Sequence, residues 1–396
     1  MKFTLFLLLS LSFAAVMYAQ TDKFAAFREA YKKELTDAGI VGSSFIFVKD
    51  GKVLAEEHYG LANEEKKQAA NADTIYHWAS NTKPFTGIAI MQLRDRGLIK
   101  LDDPVTKYVP ELRKIHNSFG SMDAITIRHL LTHSGGFRNG TWPWRNNKPW
   151  EPFEPTEWSQ LVAMFPFTEV LFEPGSKFSY SNPGIIYLGR IIEEVSGESY
   201  ETYIDKNIFR PLGMENTYFD TTPPHLLKHR SHSYYVRDGK RTEGRFDADT
   251  GITVSNSGLN SPISDMVKYL NFLTGVSASG ENVRTGSGSD RISYDAILKR
   301  SSLEEMWQPQ LPATTDANGN PGFTTDIGLI YFIDTSNNRK LIGHGGDQNG
   351  FLSYIDVEPA TRTASIIVMN TNVIDRSALD GKDIVSRLRS GMRNLF

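Results

Sequence analysis

An α/β fold of the α+β kind, an antiparallel sheet flanked by N- and C-terminal helices with a mainly helical region inserted between its halves, is predicted by three observations. A hairpin pattern lies near the start of the chain, short strand patterns separated by tight turns lie near its end, and the stretch between them repeats every three to four residues rather than every two. With 396 residues, 40% of them hydrophobic and 22% charged, the chain can bury one large core or two smaller ones, which excludes a disordered or fibrous protein.

At the N-terminus, Lys2 precedes an apolar run over residues 3–16, broken by Thr4, Ser10 and Ser12. Met17, Tyr18, Ala19 and Gln20 follow, ahead of the charged Asp22 and Lys23. This is the layout of a secretory signal peptide over residues 1–19, cleaved near Ala19. The other reading is an uncleaved anchor, for which the run is short against the ~20 residues of a membrane span. The expectation is a periplasmic or secreted protein with no stable membrane insertion.

Phe24, Phe27, Tyr31 and Leu35 recur at three- and four-residue steps, so residues 22–38 read as a surface helix with one apolar stripe. Residues 44–48 and 53–59 flank Lys49-Asp50-Gly51-Lys52, where Asp-Gly supplies the positive φ of a tight hairpin turn. Helical periodicity then marks residues 81–96, 126–132, 183–195, 200–208 and 264–273. Residues 139–158, with four tryptophans among four prolines, and the Gly/Ser-rich residues 278–290 read as loops. Strands are expected at 328–334, 339–344, 351–357 and 364–369, linked closely enough for an antiparallel meander, and a last helix over 376–394 aligns Ile384, Leu388 and Met392. Residues 20–78 and 325–396 would thus form the sheet part and 79–324 the helical part, with the active site at their junction.

Forty-three Lys and Arg against 46 Asp and Glu leave no basic excess for a phosphate backbone, so nucleic acid is not an expected partner. The absence of cysteine removes disulfides, thiolate metal sites and a thiol nucleophile. There is no His-Glu-x-x-His, and the nine histidines form no metal motif with a carboxylate, so no metal and no cofactor is expected. Chemistry falls to Ser, Lys, Tyr, His or carboxylates.

Ser80-Asn81-Thr82-Lys83 opens the first long helix of the middle region, with Pro84 in the first turn, where a missing amide donor costs nothing. At i and i+3 Lys83 can reach back to the Ser80 hydroxyl, and a partly desolvated lysine can lose its proton and activate a serine. Alone, the pattern also reads as a helix-capping serine with a solvated lysine. Tyr180-Ser181-Asn182 places a phenol and an amide two residues apart on an extended chain, one for proton transfer and one for a substrate carbonyl. It also reads as a buried tyrosine before an Asn-Pro turn. Leu341-Ile342-Gly343-His344-Gly345-Gly346-Asp347 is an apolar strand ending in two glycines that permit close backbone approach by a ligand, or simply a strand end and turn.

In this order, Ser80-x-x-Lys83, Tyr180-x-Asn182 and His344-Gly345-Gly346 resemble the serine β-lactamase and penicillin-binding protein family: β-lactamases, DD-peptidases and their esterase and D-aminopeptidase relatives. The likeness to its class C branch extends over most of the chain, through Asp102-Asp103-Pro104-Val105, residues 126–136 and residues 258–266. The resemblance implies the β-lactamase/transpeptidase fold and an acyl-enzyme on Ser80, with Lys83 and Tyr180 sharing acid and base duty. It implies Asn182 orienting the acyl group, and an oxyanion between the backbone N–H groups of Ser80 and Asp347, beside His344, Gly345 and Gly346. His133, at a helix end, is carried over as structural.

Many members of the family have Lys-Thr-Gly or His-Thr-Gly at the third motif, where cation and hydroxyl hold a substrate carboxylate. Here the hydroxyl is missing and histidine is only fractionally charged. An exported serine hydrolase cleaving a small-molecule ester or amide is therefore expected, ahead of a D-amino-acid-directed peptidase, a DD-carboxypeptidase or weak β-lactamase, or a non-catalytic binder of penicillin or cell-wall peptides. The tryptophan-rich loop would wall the cleft or pack on the protein itself.

Overall fold

The computed structural model of the protein describes residues 23–143, 155–247, 250–275, 283–284, 291–316, 318–319, 324–374 and 381–396. The expected signal peptide therefore lies outside the described residues, as do Trp144 and Trp150 and most of residues 278–290.

The N-terminal helix, α1, spans residues 23–37. It leads into β1 (Gly42–Lys49) and β2 (Lys52–Asn63), joined through Asp50 and Gly51, both at positive φ as the turn requires. Three C-terminal strands, Leu341–Gln348, Phe351–Glu358 and Thr363–Met369, form the meander, and β1 joins its last member antiparallel with Ser43 opposite Met369 and Phe45 opposite Ile367. Both ends of the chain thus meet in one nine-stranded antiparallel sheet, with residues 311–312, 326–327 and 332–334 at one edge and 68–69 at the other.

Side-chain alternation gives this sheet two buried faces. Phe45, Phe47, Ile367 and Met369 face the outer helices, meeting Phe24, Phe27, Tyr31 and Leu35 of α1 and Ile384, Val385, Leu388 and Met392 of the last helix, Gly381–Arg393. Ile46, Val48, Ile366 and Val368 face the larger core, built around the helices Lys83–Asp95, Asn182–Ser196 and Ile263–Thr274. No helix among the described residues is long and apolar enough to cross a membrane.

Several elements differ from the sequence reading. The expected strand 328–334 is interrupted: Ile330 takes φ 74 and donates its N–H to the Leu131 carbonyl, leaving strands Asp326–Ile327 and Phe332–Asp334. The strand expected at 339–344 runs on to Gln348, because Phe351–Glu358 supplies a partner as far as Gln348 opposite Phe351. Trp158 does not end a loop but opens the helix Trp158–Met164, its N-terminus fastened by Glu157 and Gln160. The helix expected at 200–208 is α-helical over Tyr200–Ile204 and widens to a π turn over Asp205–Phe209. The middle region also holds a small sheet that periodicity did not show, in which Ile75–Ala79 pairs with Leu259–Pro262 and the latter with Tyr218–Phe219.

Candidate active site

Ile75–Ala79 is buried along its whole length and delivers Ser80 to the boundary between the sheet and the helices. The chain reverses there through Ala79, whose φ of 49 and ψ of −127 lie in a region that favours glycine. Ser80–Thr82 then form a 3₁₀ turn and Lys83–Asp95 the helix behind it. The capping alternative does not match this geometry, since Ser80 is the first residue of the turn and Lys83 is fully buried. Lys83 Nζ lies 2.9 Å from Ser80 Oγ, 2.9 Å from the Asn256 carbonyl oxygen and 4.9 Å from the centre of the Tyr180 ring. Lys83 Nζ donates to both the Ser80 hydroxyl and the Asn256 carbonyl; a lysine that had lost its proton would still give one N–H to the carbonyl, which can only accept, and could turn its lone pair toward the Ser80 hydroxyl.

The second motif is set by a helix start. Ser181 accepts from the Gly184 N–H at 3.1 Å, Pro183 occupies the first turn, and Asn182 begins Asn182–Ser196. Tyr180 is therefore fixed one residue ahead of the cap, with its hydroxyl hydrogen-bonded to Ser80. The phenol is desolvated by its surroundings, which pushes its pKa up and keeps it protonated at neutral pH. Asn182 Oδ1 is buried and takes no donor among the described residues. Asn139, at the root of the tryptophan-rich segment, ties the motif down: its carbonyl accepts from the Asn182 N–H at 3.1 Å and its amide donates to the Tyr180 carbonyl.

The third motif lies on Leu341–Gln348, whose outer neighbour Phe332–Asp334 pairs only with residues 341–343. Residues 344–348 run on past that pairing, toward the serine. Gly346 is where this strand meets the strand of the serine, for a Cβ there would stand 2.2 Å from the Trp78 carbonyl oxygen. At Gly345 a Cβ would stand 2.7 Å from the Tyr354 ring, so an aromatic face fills the place of a side chain. His344 is buried, and its Nδ1 lies 2.7 Å from the Gly345 carbonyl, which fixes the N–H on that nitrogen. Burial, then the nearby Lys83 charge, pulls its pKa down to about 3, so His344 is neutral.

Besides His133, which the resemblance marks as structural, four residues that the sequence reading does not single out lie near the site. His133, at φ 52 after the short helix Ile127–Leu131, stacks 4.5 Å from the Tyr180 ring, and its Nδ1 accepts the Ser181 N–H. Its Nε2–H, like the Nε2 lone pair of His344, is buried without a partner among the described residues. His77, three residues before Ser80, lies 2.8 Å from Gln348 Oε1 and 3.0 Å from Asn260 Oδ1, bridging the serine strand to the end of the glycine strand. Asn256, Tyr354 and Asn372 come from distant segments; Asn372 donates to Asp347 Oδ1 at 3.3 Å. Only an alignment of distant parts could have brought these together, apart from His77, whose closeness to Ser80 in the chain was available.

A family model described as Beta-lactamase matches residues 26–387. Protein flp of Staphylococcus aureus (strain MW2) is 27% identical over 340 residues, 86% of this chain and 61% of the relative. Penicillin-binding protein 4* of Bacillus subtilis (strain 168) is 26% identical over 323 residues, 77% of this chain and 64% of the relative. The chain thus spans about three fifths of the length of the curated relatives it matches. Among solved structures, the octameric penicillin-binding protein homologue from Pyrococcus abyssi superposes with a TM-score of 0.72 at 26% identity, over 94% of this chain and 76% of that one. A mutant class C beta-lactamase superposes with a TM-score of 0.72 over 96% and 98% at 20% identity, a likeness of fold.

Proposed function

The chain belongs to the beta-lactamase family, and from that premise we propose that it is an exported serine hydrolase that cleaves an ester or amide through an acyl-enzyme on Ser80. The observation that carries this reading is the 2.9 Å approach of Lys83 Nζ to Ser80 Oγ, with the Tyr180 phenol on the same hydroxyl. Neutral Lys83 takes the Ser80 proton as Oγ bonds to the substrate carbonyl carbon. Protonated Tyr180 serves as a relay that delivers a proton to the departing alcohol or amine. Water then attacks the ester by the reverse route, releasing a carboxylic acid and restoring the Ser80 hydroxyl. The backbone N–H groups of Ser80 and Asp347 hold the oxyanion and Asn182 orients the acyl group, beside His344, Gly345 and Gly346.

Neutral His344 and the missing side chain at 345 favour substrates without a carboxylate at that end of the cleft over β-lactams or peptides ending in D-alanine. A D-amino-acid-directed peptidase is the second reading, supported by relatives named as penicillin-binding proteins and by a fold neighbour named a beta-lactamase/D-alanine carboxypeptidase. In both readings residues 20–78 and 325–396 serve as the sheet part and 79–324 as the helical part, the leader being removed near Ala19.

Intact-mass spectrometry after brief exposure to a p-nitrophenyl ester and, separately, to a penicillin tests this while p-nitrophenol release is followed. Turnover by wild type, its loss in Ser80→Ala and little penicillin adduct are expected. A persistent penicillin adduct on Ser80 favours the peptidase, and an adduct without any ester turnover favours a binding module. Equal turnover by Ser80→Ala refutes the acyl-enzyme.

A further inference from the structure

The strand that delivers Ser80 and the strand that carries Asp347 touch on both sides of Asp347. On one side Gly346 lies against the Trp78 carbonyl, a contact that limits how closely the two backbones approach. On the other the His77 ring reaches Gln348, its Nε2 standing 2.8 Å from the end of the Gln348 amide. Alternate residues of an extended strand share a face, so Gly346 and Gln348 both turn to the serine strand. The two contacts therefore bracket the backbone N–H of Asp347.

The protonation of the ring decides what the second contact is. Asn260, opposite His77 in the neighbouring strand, donates its amide N–H groups to the Asp220 and Gly258 carbonyls at 3.1 and 3.3 Å. Its Oδ1 therefore faces the ring, and His77 Nδ1, 3.0 Å away, carries the hydrogen. His77 is buried, and burial together with the Arg230 charge keeps it neutral at neutral pH. Its Nε2 is then a lone pair, which an amide oxygen would repel at 2.8 Å, so Gln348 presents the nitrogen end of its amide, the two ends being alike in shape. Asn260 thus fixes the tautomer and Gln348 uses the nitrogen left bare, and one ring joins three strands.

We propose that His77 is a positioning residue of the active site: by accepting the Gln348 N–H it holds the glycine strand where the backbone N–H groups of Ser80 and Asp347 converge on one oxyanion. This rests on the Ser80 acyl-enzyme reading and names what aligns its oxyanion donors. Those donors come from different strands, and a displacement of about 1 Å can cost on the order of 10²-fold in rate. A bond that fixes the strands therefore acts on the transition state more than on substrate binding.

The test is a double-mutant cycle read by hydrolysis of p-nitrophenyl acetate. His77→Phe keeps a ring beside Phe351, whose centre is 6.0 Å away, and removes both nitrogens. Gln348→Met keeps the length of a half-buried side chain and removes its donor. Each is expected to lower kcat about 10- to 100-fold, less than the loss of a whole oxyanion donor, with KM within about threefold of wild type. The double variant should be no slower than His77→Phe, since Gln348→Met deletes a bond already lost. A kcat within about threefold of wild type in Gln348→Met, losses that multiply in the double variant, or a change confined to KM overturns the proposal. Should His77→Phe fail to fold by circular dichroism, Gln348→Met decides alone by the same kcat and KM criteria. Ser80→Ala run beside them separates the two inferences. Wild-type turnover there removes the acyl-enzyme, whereas an inactive Ser80→Ala beside a fully active Gln348→Met removes only the role of His77.

Discussion

At the scale of single residues the site is a problem of proton placement. Lys83 touches an acceptor-only carbonyl on one side and the Ser80 hydroxyl on the other, while desolvation keeps the Tyr180 phenol protonated. In the proposed mechanism base and acid are thereby separated in space before any substrate arrives. Tyr180→Phe retains the ring contacts with His133, His344 and Phe332 and deletes only the hydroxyl. It is expected to lower kcat about 10²- to 10⁴-fold, the usual worth of a positioned acid or base, with the thermal midpoint near wild type. Wild-type turnover would remove Tyr180 from the proton path. The spacing Ser80-x-x-Lys83 was legible because helical geometry brings i and i+3 together, and Tyr180-x-Asn182 because a helix cap follows it. Asn256 and Tyr354 were not, since each reaches the site through long-range pairing that leaves no periodic trace in the chain; for His133 the structural role was legible from the resemblance, its stacking on Tyr180 was not.

At the scale of elements, the site depends on two strands held at backbone contact. Gly346 lets the strand Leu341–Gln348 lie against Trp78, two residues before Ser80. Its absent Cβ would also fall 2.6 Å from Ser353 Oγ. Gly346→Ala cannot be accommodated by a rotamer change, because the nearest atom is a backbone oxygen of the strand that leads into Ser80. The two strands must separate, and the proposed donors at Ser80 and Asp347 move apart with them. Loss of one oxyanion donor typically costs about 10²- to 10³-fold in kcat, which is the expected effect here, with far-ultraviolet circular dichroism unchanged. Retained kcat would show that the strand spacing does not govern catalysis. The meander and the final amphipathic helix were readable from alternation and from the stripe Ile384, Leu388 and Met392. What docks that helix was not: Asp356 accepts from Arg389 at 2.7 Å and Arg393 at 2.8 Å, and nothing in the local pattern pairs residues 33 and 37 positions apart on different elements.

At the scale of the whole molecule, burial of neutral histidines makes stability depend on acidity. His77 is pulled down to about 4, by burial first and by the Arg230 charge second, against ordinary help from Gln348, Asn260 and Asp247. His344 is held at about 3, and His133 well below its usual value by burial and by Lys83. All three stay neutral when folded but take up protons below about pH 6.5 once unfolded, so between that pH and their folded values the unfolded chain binds more protons and folding weakens as pH falls. Each unit of such a shift is worth about 1.4 kcal/mol, so His77 alone accounts for stability of order 3 kcal/mol lost by pH 4. Asp356, lowered from 3.8 to about 2 despite burial because Arg389 and Arg393 face it, adds a further loss in the same direction below pH 4. The sequence offered nine histidines and a formal charge of −3, but which rings are buried is decided only when the two ends of the chain close one sheet around the helical middle. The thermal midpoint is therefore expected to be steady above pH 7 and to fall by several degrees on each step from pH 6.5 to 4. His77→Gln, which cannot take up a proton, should soften that fall. A midpoint flat down to pH 4.5 would mean that these rings are reached by water and titrate as they do in the unfolded chain.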